Sequence, residues 1–332
     1  MLSGQRLLVL GANSFAGSCL VKAALQAGMA VLGINRSAEK SAAFHPYRAL
    51  PEASHYHFHQ LDLNQDWPAI AALIQDWQPH YVVDLAGQGM VAESWQQPEQ
   101  WYQTNVVSKA RLLLLLKDLS SLKKYVRVST PEVYGSTEQL IDERQPYSPS
   151  TPYAVSHAAI DMHLQAYFRQ YDFPVVLTRF SNFYGPGQQL YRIIPRTMIY
   201  ARLGKKLPLH GGGKAIRAFI YGEDVASALL AALVKGEPGQ VYHFSTDSFV
   251  SIRELVERIL ALQGIPFASA VEVTEDRPGK DLRYLMSDQK ARQELGWSEA
   301  FSLEAGLEQT LAWVNTYWDD LIQQPLNYEH KP

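Results

Sequence analysis

RLLVLGANSFAG, residues 6–17, decides the fold. Arg6 to Leu10 form a run of strand length, apolar after its first residue, and a glycine follows at once. An apolar run cut by glycine and followed by helix formers reads as a buried strand turning into a helix. Gly11 permits the tight turn, and Gly17 permits close packing of helix on strand. Amides at the start of that helix, over Asn13, Ser14, Phe15 and Ala16, then face an anion such as a pyrophosphate. Ser14 stands where a middle glycine is expected, so the letters alone also fit a plain turn. Position on the first strand–helix turn favours the dinucleotide reading.

Outward from this stretch, apolar runs recur at Ala30–Ile34, His57–Leu61, Tyr81–Leu85, Tyr125–Ser129 and Pro174–Thr178. Helix-length segments lie between them near 15–27, 66–76, 99–118 and 153–171. Buried parallel strands joined by helices give this alternation, so the expected class is α/β, a Rossmann-type doubly wound parallel sheet. After Gly185 the rhythm changes. Residues 186–215 read as loop-rich, 216–246 as a helix and strand returning to the sheet, and 247–332 as helices with loops. The expected organisation is a dinucleotide-binding domain of 1–185 plus 216–246 and a smaller C-terminal substrate region of 186–215 plus 247–332. No linker separates them, so they should enclose a cleft.

Bulk properties exclude several classes. The chain has 332 residues, 47% hydrophobic and 19% charged, enough apolar material for a large core. A net charge of -3 provides no basic footprint for nucleic acid. The longest leucine run, 112–116, is too short to span a membrane. A single cysteine, Cys19, rules out internal disulfides and fits a reducing compartment; it reads as a small buried hydrophobe. The N-terminus shows no signal-peptide pattern, so a cytoplasmic location is expected.

The second strand ends in GINRS, 33–37. An NAD site usually has an acid about there for the adenosine ribose, and here Asn35, Arg36 and Ser37 stand instead. A guanidinium suits the 2′-phosphate of NADP by charge and fork geometry, so NADP is expected, with NAD possible. A solvated surface arginine is the plainer alternative. Asp62 and Leu63 close the third strand, where Asp62 would meet the adenine amino group. Leu85, Ala86, Gly87 and Gln88 end the fourth strand beside the dinucleotide path, and Asn105 is assigned to the same site.

VSTPEVYG (128–135) and YSPSTPYAVSHAAIDMHL (147–164) carry the chemistry. With RFSNFYGPGQQ (179–189), IRAFIYGEDVASAL (216–229), DRPGKDLRY (276–284) and the LGW…SLEAGLEQTLAW tail (295–313), they occur in one order along nearly the whole chain. The sequence resembles the extended short-chain dehydrogenase/reductase superfamily, in its nucleotide-sugar 4,6-dehydratase branch. The resemblance implies that Tyr153 takes the proton of a sugar 4-hydroxyl, while C4 gives hydride to the nicotinamide. It implies that Thr130 bonds the same oxygen and that Glu132 removes the C5 proton. Water then leaves from C6 and the hydride returns there, giving a 4-keto-6-deoxy sugar. In dTDP-glucose dehydratases an aspartic acid precedes the glutamate; here it is Pro131, which has no proton to give. GDP-mannose dehydratases also lack that acid, so one glutamate would serve as base and then acid.

The family pattern Tyr-x-x-x-Lys is Tyr153-x-x-x-His157 here. The lysine stabilises tyrosinate and holds the nicotinamide ribose. A neutral imidazole can give one hydrogen bond to the ribose; an imidazolium would also favour tyrosinate, partially near neutral pH. A packed structural histidine is the bare alternative.

The resemblance also implies nucleotide-sugar contacts from Ser94, Asn182, Arg217, Arg277 and Asp281, the two arginines clamping the phosphates. Residues Leu207–His210 fall where the base pocket is lined. HYHFH, 55–59, puts three histidines on one strand face, but nothing completes a ligand set, so no metal is expected. By analogy the chain forms a homodimer through helices 99–118 and 153–171. Two rivals remain: a nucleotide-sugar C4 epimerase, which in this superfamily usually lacks a carboxylate at the Glu132 position, and a nucleotide-sugar-binding protein of weak activity, favoured by Pro131 and His157.

Overall fold

The computed structural model describes residues 2–137, 139–275 and 285–331. Its main sheet contains β1 (Arg6–Leu10), β2 (Ala30–Asn35), β3 (Tyr56–Gln60), β4 (Tyr81–Asp84), β5 (Lys124–Val128), β6 (Val175–Phe180) and β10 (Val241–Phe244). The order is β10-β6-β5-β4-β1-β2-β3, and every pair is parallel. Order reverses between β1 and β4, which opens a crevice at the carboxyl ends of these strands.

Both faces of β1 are dry. Leu7 and Val9 pack into the core on one side, with Leu20, Ala24, Leu229 and Leu233. Leu8 and Leu10 pack on the other, with Ile70, Leu112, Leu116, Ile160 and Leu164. The two-residue period of a strand therefore sends alternate leucines to opposite helix layers, which is why the strand is apolar almost throughout. Helices Phe15–Gln26 and Gly222–Lys235 cover the first face; Trp67–Trp77, Ser108–Leu116 and Pro152–Tyr171 cover the second.

The region after Gly185 is more ordered than its letters indicate. Residues 186–215, read as loop, hold the helix Ile193–Arg202 and strand β8 (Leu207–His210). Pro195 sits in the first turn of that helix, where no amide is needed for an intrahelical bond. Residues 216–246 are also divided. Strand β9 (Ile216–Tyr221) joins β7 (Asn182–Tyr184) and β11 (Phe249–Ser251) in a separate three-stranded sheet. The following helix, Gly222–Lys235, and β10 return to the main sheet. Strand β12 (Val271–Thr274) pairs with β8. The helix Ile193–Arg202, β7 and β9 share a third core around Tyr184, Ile194, Met198, Phe219, Leu255, Leu307 and Trp313, while β8 and β12 close a smaller one with Val256 and Leu260. The expected helix 99–118 runs without interruption from Pro98 to Leu116, with one π-type turn, Gln103–Val107, inside it. Among the described residues, no helix is long and apolar enough to cross a membrane.

Candidate active site

At the switch point a crevice is lined by Gly11 and Ser14 of the first turn, Asn35 and Arg36 after β2, Asp62 and Leu63 after β3, and Leu85, Ala86 and Gly87 after β4. Leu10, Ile34 and Leu61 add apolar walls. Gly11 has φ +82°, and a Cβ there would meet the Ala86 amide nitrogen at 2.8 Å. A Cβ on Gly17 would collide with the Gly11 carbonyl. The turn is thus as tight as the glycines allow. Ser14 caps the helix Phe15–Gln26 by accepting from the Gly17 amide at 3.0 Å. Apolar walls, polar ends and a helix N-terminus together fit a dinucleotide. The buried Oδ1 of Asn13 lacks a protein partner, and its Nδ2 donates to the Ser37 carbonyl at 2.8 Å. Asn35 Nδ2 donates to the same carbonyl at 3.3 Å.

Several assigned cofactor residues do other work. Phe15 turns into the core with Cys19 and Ala226, and Ala16 packs in the main core, so only their backbone stands at the turn. Asn105 is fully buried; its Oδ1 accepts from the Gln88 amide at 2.8 Å, and its Nδ2 donates to the Gln88 carbonyl and to Ser156 Oγ. It ties the loop after β4 to the tyrosine helix instead of facing the crevice. Cys19 is buried, and burial first, then Glu223, push its thiol up to about 12. The three histidines of β3 and its approach are exposed, and among the described residues no cluster could hold a metal ion.

The chemical groups converge after β5. Thr130 caps the turn Pro131–Tyr134, its Oγ1 accepting from the Glu132 amide at 3.3 Å. Its side chain lies close enough to the Tyr153 phenol to lower its pKa, and the Glu132 carboxylate is near enough to act on that phenol by charge. Burial, and then Glu132, push the phenol up to about 12; Thr130, Arg192 and Arg127 oppose them. Thr151 starts the tyrosine helix, accepting from the Ala154 amide at 3.1 Å, with Pro152 at the first helical position. The Tyr153 and His157 rings lie 4.6 Å apart between centroids. His157 is buried, and burial together with Arg127, Lys109 and Arg179 holds it well below the usual histidine range. These surroundings disfavour the imidazolium role and favour the neutral ring. Ser94 is a second correction. It is fully buried, donates to the Val91 carbonyl at 2.6 Å and accepts from the Tyr153 amide at 3.2 Å, so it anchors the tyrosine helix and does not present its hydroxyl to a sugar.

Asn182 and Arg217 meet in a second, narrow cleft beside Pro131, Ser181 and Met286. Parallel pairing of β7 with β9 aligns Asn182 with Phe219, two residues beyond Arg217. Arg277 and Asp281 lie outside the described residues. His210 at the end of β8 bonds Thr274 Oγ1 through Nδ1 at 2.9 Å.

Sequence reading missed two groups. One is a buried charge network of Asp84, Lys109, Arg127, Asp161 and Arg179 beneath the tyrosine. Charged letters within the apolar runs YVVD, KYVRV and VVLTRF were its signal. The other is the C-terminal segment. The Lys331 carbonyl accepts from Gln88 Nε2 at 2.8 Å and from Arg36 at 3.0 Å, while His330 stacks on Trp101.

A family model described as GDP-mannose 4,6 dehydratase matches residues 8–310. The chain belongs to this family. It is 31% identical over 327 residues to a dTDP-glucose 4,6-dehydratase of Xanthomonas campestris pv. campestris, with 93% of each chain covered. The crystal structure of dTDP-glucose 4,6-dehydratase from Bacillus anthracis in complex with NAD superposes with TM-score 0.85 at 30% identity, covering 95% of this chain and 98% of that one. An epimerase from Methanothermobacter thermautotrophicus superposes with TM-score 0.88 at 25% identity, covering 97% and 96%. The fold is thus common to dehydratases and epimerases, and the site must separate them.

Proposed function

We propose that Tyr153, Thr130 and Glu132 act on the hexose of a nucleotide-diphosphate sugar held in the cleft of Asn182 and Arg217, beside the dinucleotide crevice. The chain is an NAD(P)-dependent nucleotide-sugar 4,6-dehydratase of the extended short-chain type. The observation that carries the assignment of roles is the convergence of a carboxylate, Glu132, and a hydroxyl, Thr130, on the surroundings of the Tyr153 phenol. Bound nicotinamide supplies hydride acceptance at C4 and hydride return at C6. Tyr153, as phenolate, takes the 4-hydroxyl proton, and Thr130 holds that oxygen. A ketone at C4 acidifies C5, so Glu132 can take the C5 proton. Pro131 has no proton to give, so Glu132 returns its own to the departing C6 hydroxyl and water leaves; as hydride comes back to C6, C5 takes one proton from solvent, balancing the one that Tyr153 gives up to solvent. Asn182 and Arg217 hold the diphosphate. Arg36 supports NADP over NAD, because no carboxylate follows β2 to receive the ribose hydroxyls.

Purified protein incubated with NADP or NAD and a panel of nucleotide-diphosphate hexoses tests this by product mass. Loss of one water is expected for one sugar, and in D2O the product gains deuterium at C5. Glu132→Gln should abolish both changes while binding of the sugar persists. An isobaric epimer would instead establish the epimerase, and tight binding without conversion would leave a binding protein.

A further inference from the structure

The Tyr-x-x-x-Lys pattern needs a positive charge near the phenol and a donor for the ribose. At position 157 the imidazole supplies no charge. The structure provides one directly behind it. Arg127, 1% exposed at the centre of the sheet, brings Nη2 to 3.1 Å from Nδ1 of His157. A guanidinium carries donors only and stays protonated, so Nδ1 must accept and the ring's proton must sit on Nε2. Protonating Nδ1 as well would turn N–H against N–H in a dry interior.

Arg127 is poorly neutralised. Its Nη1 reaches the Asp84 carbonyl at 3.2 Å and the carboxylate only at 3.4 Å. That carboxylate is already bound by Lys109 Nζ at 2.6 Å and by the Tyr125 hydroxyl at 2.7 Å. Arg179 is matched separately by Asp161 at 2.9 Å. The cluster behind His157 therefore sets two basic groups, Lys109 and Arg127, against one carboxylate, Asp84; burial and Arg127 push the lysine down to about 7, and the guanidinium, which stays protonated, is the cation touching the ring. On its other side the ring meets Tyr153, which in turn faces Glu132, Thr130 and Arg192.

We propose that Arg127 and His157 together stand in for the missing lysine: His157 is a fixed Nε2–H donor, and Arg127 is a positioning residue that sets the tautomer and contributes the permanent charge favouring the Tyr153 phenolate. This rests on Tyr153 being the proton-taking group of the proposed dehydration. It also means the lysine cannot simply be restored. His157→Lys would set an ammonium against the Arg127 guanidinium, and two buried cations repel.

Nitrogen-15 NMR of imidazoles in the cofactor-free protein tests the arrangement without catalysis, with His157→Gln used for assignment. His157 should show the Nε2–H tautomer and no titration between about pH 5 and 8. In Arg127→Met it should titrate within that window. Kinetics test the charge. His157→Lys and Arg127→Met should each lower kcat about tenfold or more, the effect of moving a phenol by one pKa unit, and shift its rise to higher pH. The double variant should exceed both single variants about tenfold. A wild-type His157 that carries its proton on Nδ1, or titrates near its ordinary pKa, overturns the proposal. So does a His157→Lys enzyme at least as active as the double variant. If no nucleotide sugar is converted, the dehydratase reading fails, while the wild-type NMR result still decides the tautomer and charge arrangement by itself.

Discussion

His157, His243 and His45 are imidazoles whose surroundings keep them neutral. His243 is fully buried, its Nε2 2.7 Å from the Tyr134 hydroxyl, and burial with Arg179 nearby holds it well below the ordinary value. Burial pushes His45 down to about 4. All three folded-state values lie below the unfolded 6.5. Their contribution to stability is therefore complete above that pH and is lost as pH falls, because the unfolded chain takes up protons that the folded chain refuses. Each contributes a slope of up to about 1.4 kcal/mol per pH unit. Urea denaturation at pH 7, 6 and 5 should show a falling midpoint, and His243→Gln should flatten that fall relative to wild type. A midpoint independent of pH over this range would refute the neutral assignment. At this scale Thr130, Glu132 and Tyr153 could be named because they lie in the motifs that carry the family resemblance. Arg127 was not. Its role comes from the partner that the fold puts 3.1 Å away, and KYVRV does not name that partner.

The tyrosine helix shows how one element sets the geometry of several reacting groups. Thr151 Oγ1 fixes its first turn, Pro152 fixes the entry dihedral, and Ser94 grips the Tyr153 amide from the short helix Val91–Ser94. Thr151 is 4% exposed, so water cannot readily replace its hydroxyl. Thr151→Ala should destabilise the protein by about 1 kcal/mol, as loss of a helix cap does. It should also lower kcat more than it raises KM, because the phenol lies two residues from the cap. Thr151→Ser should retain both properties; equal losses in Ser and Ala variants would show that the hydroxyl is not what holds the turn. Strands β1, β2, β4, β5 and β6 were readable to within one or two residues, since burial on both faces demands continuous apolar runs; β3, at the exposed edge, was placed one residue late, and β10 was expected only as a strand somewhere within 216–246. The helix Ile193–Arg202 was not, because Pro195 near its start looks like a break. Strands β7 and β11, three residues each, are too short to show a period.

At the level of the whole molecule, the two helices that flank the site also leave an apolar stripe uncovered. Val107 and Leu114 are exposed by 48% and 56%, and Val155 and Met162 by 39% and 62%. Each pair is seven residues apart, two helical turns, so each pair lies along one line of its helix. Exposed apolar side chains aligned in this way suit a self-complementary contact about a two-fold axis. Leu114→Lys combined with Met162→Lys should halve the mass measured by sedimentation at micromolar protein and leave the far-ultraviolet spectrum unchanged. In the wild type the thermal midpoint should rise with protein concentration, and in the double variant it should not, because only an associating fold gains stability by mass action. Val155 is two residues from Tyr153 on the same helix, so the monomeric variant should also lose kcat as the start of that helix loosens. A wild type that sediments as a monomer, or a variant of unchanged mass, would show that these side chains do not form the contact.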